Sequence, residues 1–198
     1  MKTYGLIRHA LACVFLMGIA STTPADAAVQ GWNIVMAKSQ VKLTFTQMKT
    51  PVTATLERFK ADIQLDPDHL QDSRIQATID VTSFATDDKD RDDSAQTKDW
   101  FDSQNFPAAT FQSTSIKKVA GDRLEALGNL TIKGVSLPVT LPFTLHITKT
   151  DSGNKKAEAE AEITLDRSKF KLGEGEWADA SVIANDVKVE IHLTAFAK

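Results

Sequence analysis

The chain has 198 residues, of which 42% are hydrophobic and 25% are charged, and its formal net charge at pH 7 is −3. This length suits one domain with a sizeable hydrophobic core. A negative net charge gives no electrostatic reason to bind nucleic acid or anionic lipid head groups, so we expect no nucleic acid partner.

Residues 1–27 have the pattern of a secretory signal peptide. A basic segment precedes an apolar run over residues 10–20, and Ala25-Asp26-Ala27 supplies the small residues of a cleavage site. The apolar run is too short to span a bilayer. We therefore predict an exported, periplasmic domain over residues 28–198. Cys13 lies in the apolar run, so removal of the signal peptide leaves no cysteine for a disulfide or for thiol catalysis.

Eight segments alternate apolar and polar residues with a period of two. In the last of them, Val187 and Val189 alternate with Lys188 and Glu190. Because successive side chains of a strand point to opposite faces, each segment predicts a strand with one buried side. The segments cover residues 41–46, 59–65, 74–81, 110–119, 124–132, 137–147, 157–165 and 187–194, and the pattern over 110–119 is the weakest.

Short polar turns such as Asp66-Pro67-Asp68 and Lys133-Gly134 separate these segments, which favours antiparallel neighbours. The pattern predicts an all-β fold, either an up-and-down barrel or a two-sheet sandwich. Three alanines at successive apolar positions, Ala157, Ala159 and Ala161, favour an eight-stranded, lipocalin-like antiparallel barrel with room for a ligand. The alternative is that large residues on facing strands fill the interior.

An insertion of about 25 residues separates Phe84 from Thr110, and an insertion of this length is usually functional or contains its own secondary structure. The acidic start of residues 92–101 favours a short helix or turn, which would place Trp100 and Phe101 on the end of the barrel as a lid. The alternative is that these aromatic rings are an ordinary plug on a closed core. The acidic run also resembles the start of a calcium-binding loop. Asp93 occupies the position where such a loop has glycine, so we expect a helix start and no metal site.

Other patterns that would indicate catalysis or a cofactor are weak. The histidines outside the signal peptide, His69, His146 and His192, lack metal-ligand spacing. Gly173-Glu174-Gly175 is followed by no helical pattern, so it predicts a turn and not a phosphate-binding loop. We therefore expect no enzyme, no metal and no cofactor.

Several motifs occur in the order typical of one family. They include Phe59-Lys60-Ala61-Asp62-Ile63, Trp100-Phe101-Asp102, Gly128-Asn129-Leu130-Thr131-Ile132 and Arg167-Ser168-Lys169-Phe170-Lys171-Leu172-Gly173. With these motifs the chain resembles the YceI-like family of exported lipid-binding proteins. The resemblance implies a barrel that holds a long isoprenoid lipid, such as a quinone or a polyprenyl phosphate, and a transient membrane or cytochrome partner. This chain has Lys38 and Gln47 at or near positions where many members carry histidine.

The functional hypothesis is a periplasmic carrier that holds an isoprenoid lipid in the barrel interior. The residues expected to contact the lipid lie on the inward side of strands or in the lid. They are Phe45, Phe59, Ile63, Ile79, Phe84, Arg91, Trp100, Phe101, Phe111, Leu130, Val139 and Phe143. Arg91 is the candidate for the head group, and the alternative for this residue is an ion pair with a neighbouring aspartate. The alternative for the whole chain is a stress-response or interaction protein with a filled barrel and a functional surface.

Overall fold

A computed structural model describes residues 29–198. The predicted signal peptide over 1–27, including Cys13, lies outside the described residues. The strands are β1 (Gly31–Ile34), β2 (Gln40–Gln47), β3 (Thr50–Leu56), β4 (Phe59–Gln64), β5 (Arg74–Asp80), β6 (Phe84–Ala85), β7 (Ala108–Ala120), β8 (Arg123–Ile132), β9 (Val135–Lys149), β10 (Lys155–Asp166) and β11 (Ile183–Ala197). One α-helix, α1, spans Lys89–Ala95 within this part of the chain. None of the described helices is long and apolar enough to cross a membrane.

Eight strands close a ring in the order β1, β4, β5, β7, β8, β9, β10 and β11, and all neighbours are antiparallel. The predicted eight-stranded antiparallel barrel is therefore confirmed, although β1 is a strand of the ring and the predicted segment 41–46, which forms β2, is not. The ring closes because β11 is long enough for two partners. Its C-terminal end pairs with β1 through Ala195–Ala197, and its remaining part pairs with β2. Strands β2, β3 and β6 extend the sheet from β11 outside the ring.

Each of the eight alternating segments contains an observed strand, but β1, β3 and β6 were not predicted. The hairpin between β2 and β3 could not be recognised from glycine. Its two turn residues are Met48 and Lys49, which adopt positive φ angles of 48° and 68° that glycine usually supplies. Pro51 also interrupts the strand pattern of β3. A proline is tolerated there because β3 pairs with β6 only at Thr55 and Leu56, which leaves an open edge at Pro51.

A β-bulge explains why the pattern over 110–119 is weak. The pairing of β7 with β8 shifts between Ser113 and Ser115, so one extra residue lies in β7. Before the bulge odd-numbered residues such as Phe111 face inward, and after it even-numbered residues such as Ile116 do. Both side chains are less than 10% exposed. Gly128 on β8 makes room for Phe111, because a Cβ atom at Gly128 would lie 2.7 Å from the phenyl ring.

The insertion between β6 and β7, residues 86–107, forms the lid at one end of the barrel. Asp88 accepts a hydrogen bond from the backbone N–H of Arg91 and caps α1. The predicted short helix is confirmed, but it begins at Lys89 and ends at Ala95, earlier than the expected segment 92–101. After α1 the chain turns, and the carbonyl of Asp99 accepts hydrogen bonds from the backbone N–H groups of Gly173 and Glu174 at 2.7 and 3.0 Å. These bonds fix the lid to the loop between β10 and β11. No group of three acidic, His or Cys side chains within residues 29–198 is placed to hold a metal ion.

Candidate functional site: an apolar cavity in the barrel

A cavity of about 530 Å³ lies inside the barrel. This volume is in the range of small-molecule binding sites. Inward-facing residues of most strands line the cavity, and nearly all of them are aliphatic or aromatic. Side chains therefore do not fill the interior, and the alternative of a filled barrel is wrong for this structure.

The alanines of β10 help to create this space. Ala157, Ala159 and Ala161 all line the cavity, as the period-two pattern predicted. They lie beside residues of β9 and β11 on the same inward face, and Ala159 is paired with both Leu145 and Leu193. Short side chains at three successive inward positions leave room that Leu or Phe would occupy.

All twelve predicted ligand contacts lie around this one cavity. Eleven are apolar, and the remaining one is Arg91 on α1. Their position around the barrel interior is consistent with the prediction. Their contact with a ligand stays a prediction.

Aromatic residues of the lid form one wall of the cavity. The ring of Phe101 lies 5.7 Å from that of Phe84, and the ring of Trp100 lies 6.1 Å from that of Trp177. Phe106 faces elsewhere, since it is 36% exposed and packs against Gly134 in the turn between β8 and β9. The lid therefore contributes Trp100 and Phe101 to the cavity, as predicted.

Five of the six polar lining residues gather at one place, which we call the mouth. It is formed by Gln47 at the end of β2 and by Asp88, Asp90, Arg91 and Ser94 on or next to α1. Arg91 donates hydrogen bonds from Nε to Oε1 of Gln47 and from Nη1 to Oγ1 of Thr86, both at 3.2 Å. Its Nη2 lies 3.5 Å from Oδ2 of Asp88. Arg91 thus borders the cavity and also makes the ion pair that was its alternative interpretation.

Arg167 is a cavity residue that sequence reasoning missed. It follows β10, it is only 3% exposed, and no carboxylate pairs with it among the described residues. Instead, its guanidinium makes five hydrogen bonds to backbone carbonyl oxygens, at 2.7 to 3.1 Å. These oxygens belong to Leu172, Gly173, Trp177, Ile183 and Ala184.

Burial lowers the pKa of Arg167 from its ordinary value, but a guanidinium stays protonated in proteins. A cation is therefore held in the cavity wall by carbonyl dipoles. These bonds organise the loop between β10 and β11, because three of the five carbonyls belong to its residues 172–177 and the other two to the start of β11. The only sequence signal was the motif from Arg167 to Gly173, which carried the family resemblance without a role for the arginine.

Gly173 is required by the same arrangement. Its φ angle is +73°, and a Cβ atom there would clash with the Arg167 guanidinium and lie 2.9 Å from the indole ring of Trp100. The turn predicted at Gly173-Glu174-Gly175 is therefore a packed contact between the loop and the lid.

The comparisons with known proteins agree with this architecture. The YceI-like domain family matches residues 32–195. Protein YceI of Escherichia coli O157:H7 and that of Shigella boydii serotype 4 are each 34% identical over 119 residues, or 60% of this chain. The matched segment spans 62% of those relatives, which is less than two thirds of their length.

Solved structures resemble the whole barrel. Burkholderia cenocepacia BcnA has a TM-score of 0.75 and 34% identity, and the match covers 82% of this chain and 99% of BcnA. A Campylobacter jejuni YCEI protein has a TM-score of 0.69 and 25% identity, with 75% and 86% of the two chains covered. A polyisoprenoid binding domain from Saccharophagus degradans has a TM-score of 0.64 over 86% of this chain and 99% of that domain. At 13% identity, that last match shows a shared fold alone. With a family match across residues 32–195 and a closed barrel around an apolar cavity, this chain belongs to the YceI-like domain family.

Proposed function

We propose that the protein is a periplasmic carrier of a long isoprenoid lipid, such as a quinone or a polyprenyl phosphate. The observation that carries the proposal is the continuous apolar lining of a cavity of about 530 Å³. An isoprenoid chain is insoluble in water, and its enclosure recovers about 25 cal/mol for each Å² of apolar surface removed from water. A barrel of this kind binds its cargo and does not transform it.

The distribution of polar residues supports one orientation of the lipid. The head group lies at the mouth, near Gln47 and Arg91, because polar side chains of the lining gather there. The tail extends toward the opposite end, where Trp32, Leu65 and Ala157 belong to a buried apolar cluster. The fold shared with a polyisoprenoid binding domain is consistent with this cargo. Loading and unloading would then involve a transient membrane or cytochrome partner at the lid end.

Analysis of the lipid that copurifies with the protein tests the carrier function. The protein is purified from its native host without detergent, and extracted lipid is identified by mass spectrometry. We expect a prenyl-chain lipid in near-stoichiometric amount. A folded protein that repeatedly yields no prenyl-chain lipid would exclude the proposed function.

A further inference from the structure

Four charged residues line the cavity: Asp88, Asp90, Arg91 and Arg167. An anionic head group needs a cation with free N–H donors, because a buried charge without such a partner is unfavourable. The two arginines are therefore the groups that would have to receive a phosphate.

Arg167 has no donor left for a ligand. A guanidinium carries five N–H groups, and Arg167 makes five hydrogen bonds, with one from Nε, two from Nη1 and two from Nη2. All five acceptors are backbone carbonyls. A phosphate could bind this side chain only if the loop between β10 and β11 gave up these bonds.

Arg91 donates hydrogen bonds from two of its five N–H groups, and its surroundings are acidic. Its three nitrogen atoms contact Gln47, Thr86 and Asp88. An anion that approached the remaining N–H groups of Arg91 would lie close to the carboxylates of Asp88 and Asp90, which both line the mouth. A phosphate monoester carries about −1.5 to −2 charges at pH 7, so both carboxylates would repel it.

A neutral oxygen can be accommodated at the same place. Gln47 uses Oε1 to accept the hydrogen bond from Arg91. Its side-chain NH2 group makes no hydrogen bond within residues 29–198, so it can donate to a carbonyl or hydroxyl oxygen. An uncharged oxygen that accepts this bond needs no cation as a partner.

We propose that the cavity selects isoprenoid lipids whose head group is uncharged, a quinone or a free alcohol, and discriminates against prenyl phosphates. The saturation of Arg167 and the Asp88–Arg91 contact beside Asp90 carry this inference, which rests on the proposed carrier function. It specifies the head group of the lipid, which the apolar lining alone does not determine.

A matched pair of ligands tests the inference. The delipidated protein is titrated with geranylgeraniol and with geranylgeranyl monophosphate, which share one prenyl chain and differ in the head group. Intrinsic fluorescence reports binding, because all three tryptophans of the sequence, Trp32, Trp100 and Trp177, line the cavity. We expect the alcohol to bind at least tenfold more tightly than the monophosphate.

The double variant Asp88→Asn/Asp90→Asn removes both carboxylates of the mouth. Asparagine keeps the helix cap, and the Asp90 side chain makes no hydrogen bond or ion pair within the described chain. We expect the monophosphate to bind at least fivefold more tightly to this variant than to the wild type. Asp93→Asn is the control, since Asp93 is on the same helix, pairs with Lys89 and lies outside the cavity lining.

The outcomes separate the two proposals. If the wild type binds the monophosphate as tightly as the alcohol, or if the double variant gains no affinity for it beyond the control, the head-group inference is wrong and the carrier function stands. If the wild type binds neither ligand, the carrier function itself fails and the inference fails with it.

Discussion

The guanidinium carbon of Arg167 lies 5.3 Å from the centre of the Trp100 ring. This contact joins the loop that follows β10 to the lid, two segments that are far apart in sequence. It is a cation–π geometry, and it places an aromatic ring of the cavity wall against the guanidinium that five backbone carbonyls hold. The stability of the lid end therefore depends on Arg167.

Arg167→Met tests this dependence. The substitution leaves five carbonyl oxygens without their donors, and we expect a loss of about 3 kcal/mol or more in the free energy of unfolding, measured with urea. Arg167→Lys keeps the charge but offers fewer donors, so its loss should be intermediate. Arg74→Met is the control, because Arg74 is exposed on β5. Equal stability of Arg167→Met and Arg74→Met would contradict the structural role of Arg167.

Gly173→Ala tests the contact between the loop and the lid. A matched control is Gly153→Ala, since both glycines have positive φ angles, +73° and +83°, but a Cβ at Gly153 meets no atom within 4 Å. We expect Gly153→Ala to cost about 1 kcal/mol from backbone strain. Gly173→Ala should cost about 1–3 kcal/mol more, because its Cβ also displaces Arg167 and Trp100. Thermal unfolding of the two variants side by side measures the difference, and equal losses would rule out the predicted clash.

Ala159→Phe tests whether the cavity is where the lipid lies. A phenyl ring at this inward position of β10 occupies part of the cavity, so we expect the copurified prenyl lipid to fall at least tenfold while the barrel remains folded. Glu160→Phe is the control, since Glu160 is the next residue, is exposed and is absent from the cavity lining. Mass spectrometry of lipid extracts and circular dichroism are the measurements. Undiminished lipid in folded Ala159→Phe would place the cargo elsewhere.

Asp80 predicts a pH-dependent contribution to the stability of the segment between β5 and β6. Its Oδ1 accepts hydrogen bonds from the hydroxyl and backbone N–H of Thr82 at 2.6 and 2.9 Å, and its Oδ2 accepts one from Nε of Arg58 at 2.8 Å. The Thr82 hydroxyl first, then Arg58, lowers the pKa of Asp80 below its ordinary value of 3.8. The ionised carboxylate therefore stabilises the folded state above about pH 4, and this stabilisation is lost as pH falls through the lowered pKa.

We expect the free energy of unfolding of Asp80→Asn to be up to about 1 kcal/mol below that of the wild type at pH 7, since the side chain is 40% exposed and solvent screens its interactions. The difference should shrink toward zero as the pH is lowered below 3.8. Urea unfolding of both proteins between about pH 2.5 and pH 7 measures this difference. The interval extends at least about one pH unit below and above the ordinary pKa of an aspartate. A difference that stays constant over this range would show that the charge of Asp80 contributes nothing.

Residue pattern predicted much of the barrel and most of the cavity wall, but not its closure. The alternation around Ala159 and Val187 predicted strands and their inward sides correctly. The hairpin at Met48-Lys49 was missed because its turn residues are not glycine, and β1 was missed because four residues are too few for a period to be recognised. The strand at Phe111 was recognised only weakly because a bulge changes the parity of its buried side.

Sequence by itself determined which side of each strand is apolar and that small residues line one of them, because a pleated strand alternates with a period of two wherever it lies in the fold. It also carried the family motifs and the acidic start of the lid helix. Only the tertiary structure decided that Arg167 is buried and that position 173 requires glycine. It also decided that Arg91 contacts both Gln47 and Asp88. These features depend on carbonyls and side chains that folding brings together from distant parts of the chain, and no local pattern specifies such partners.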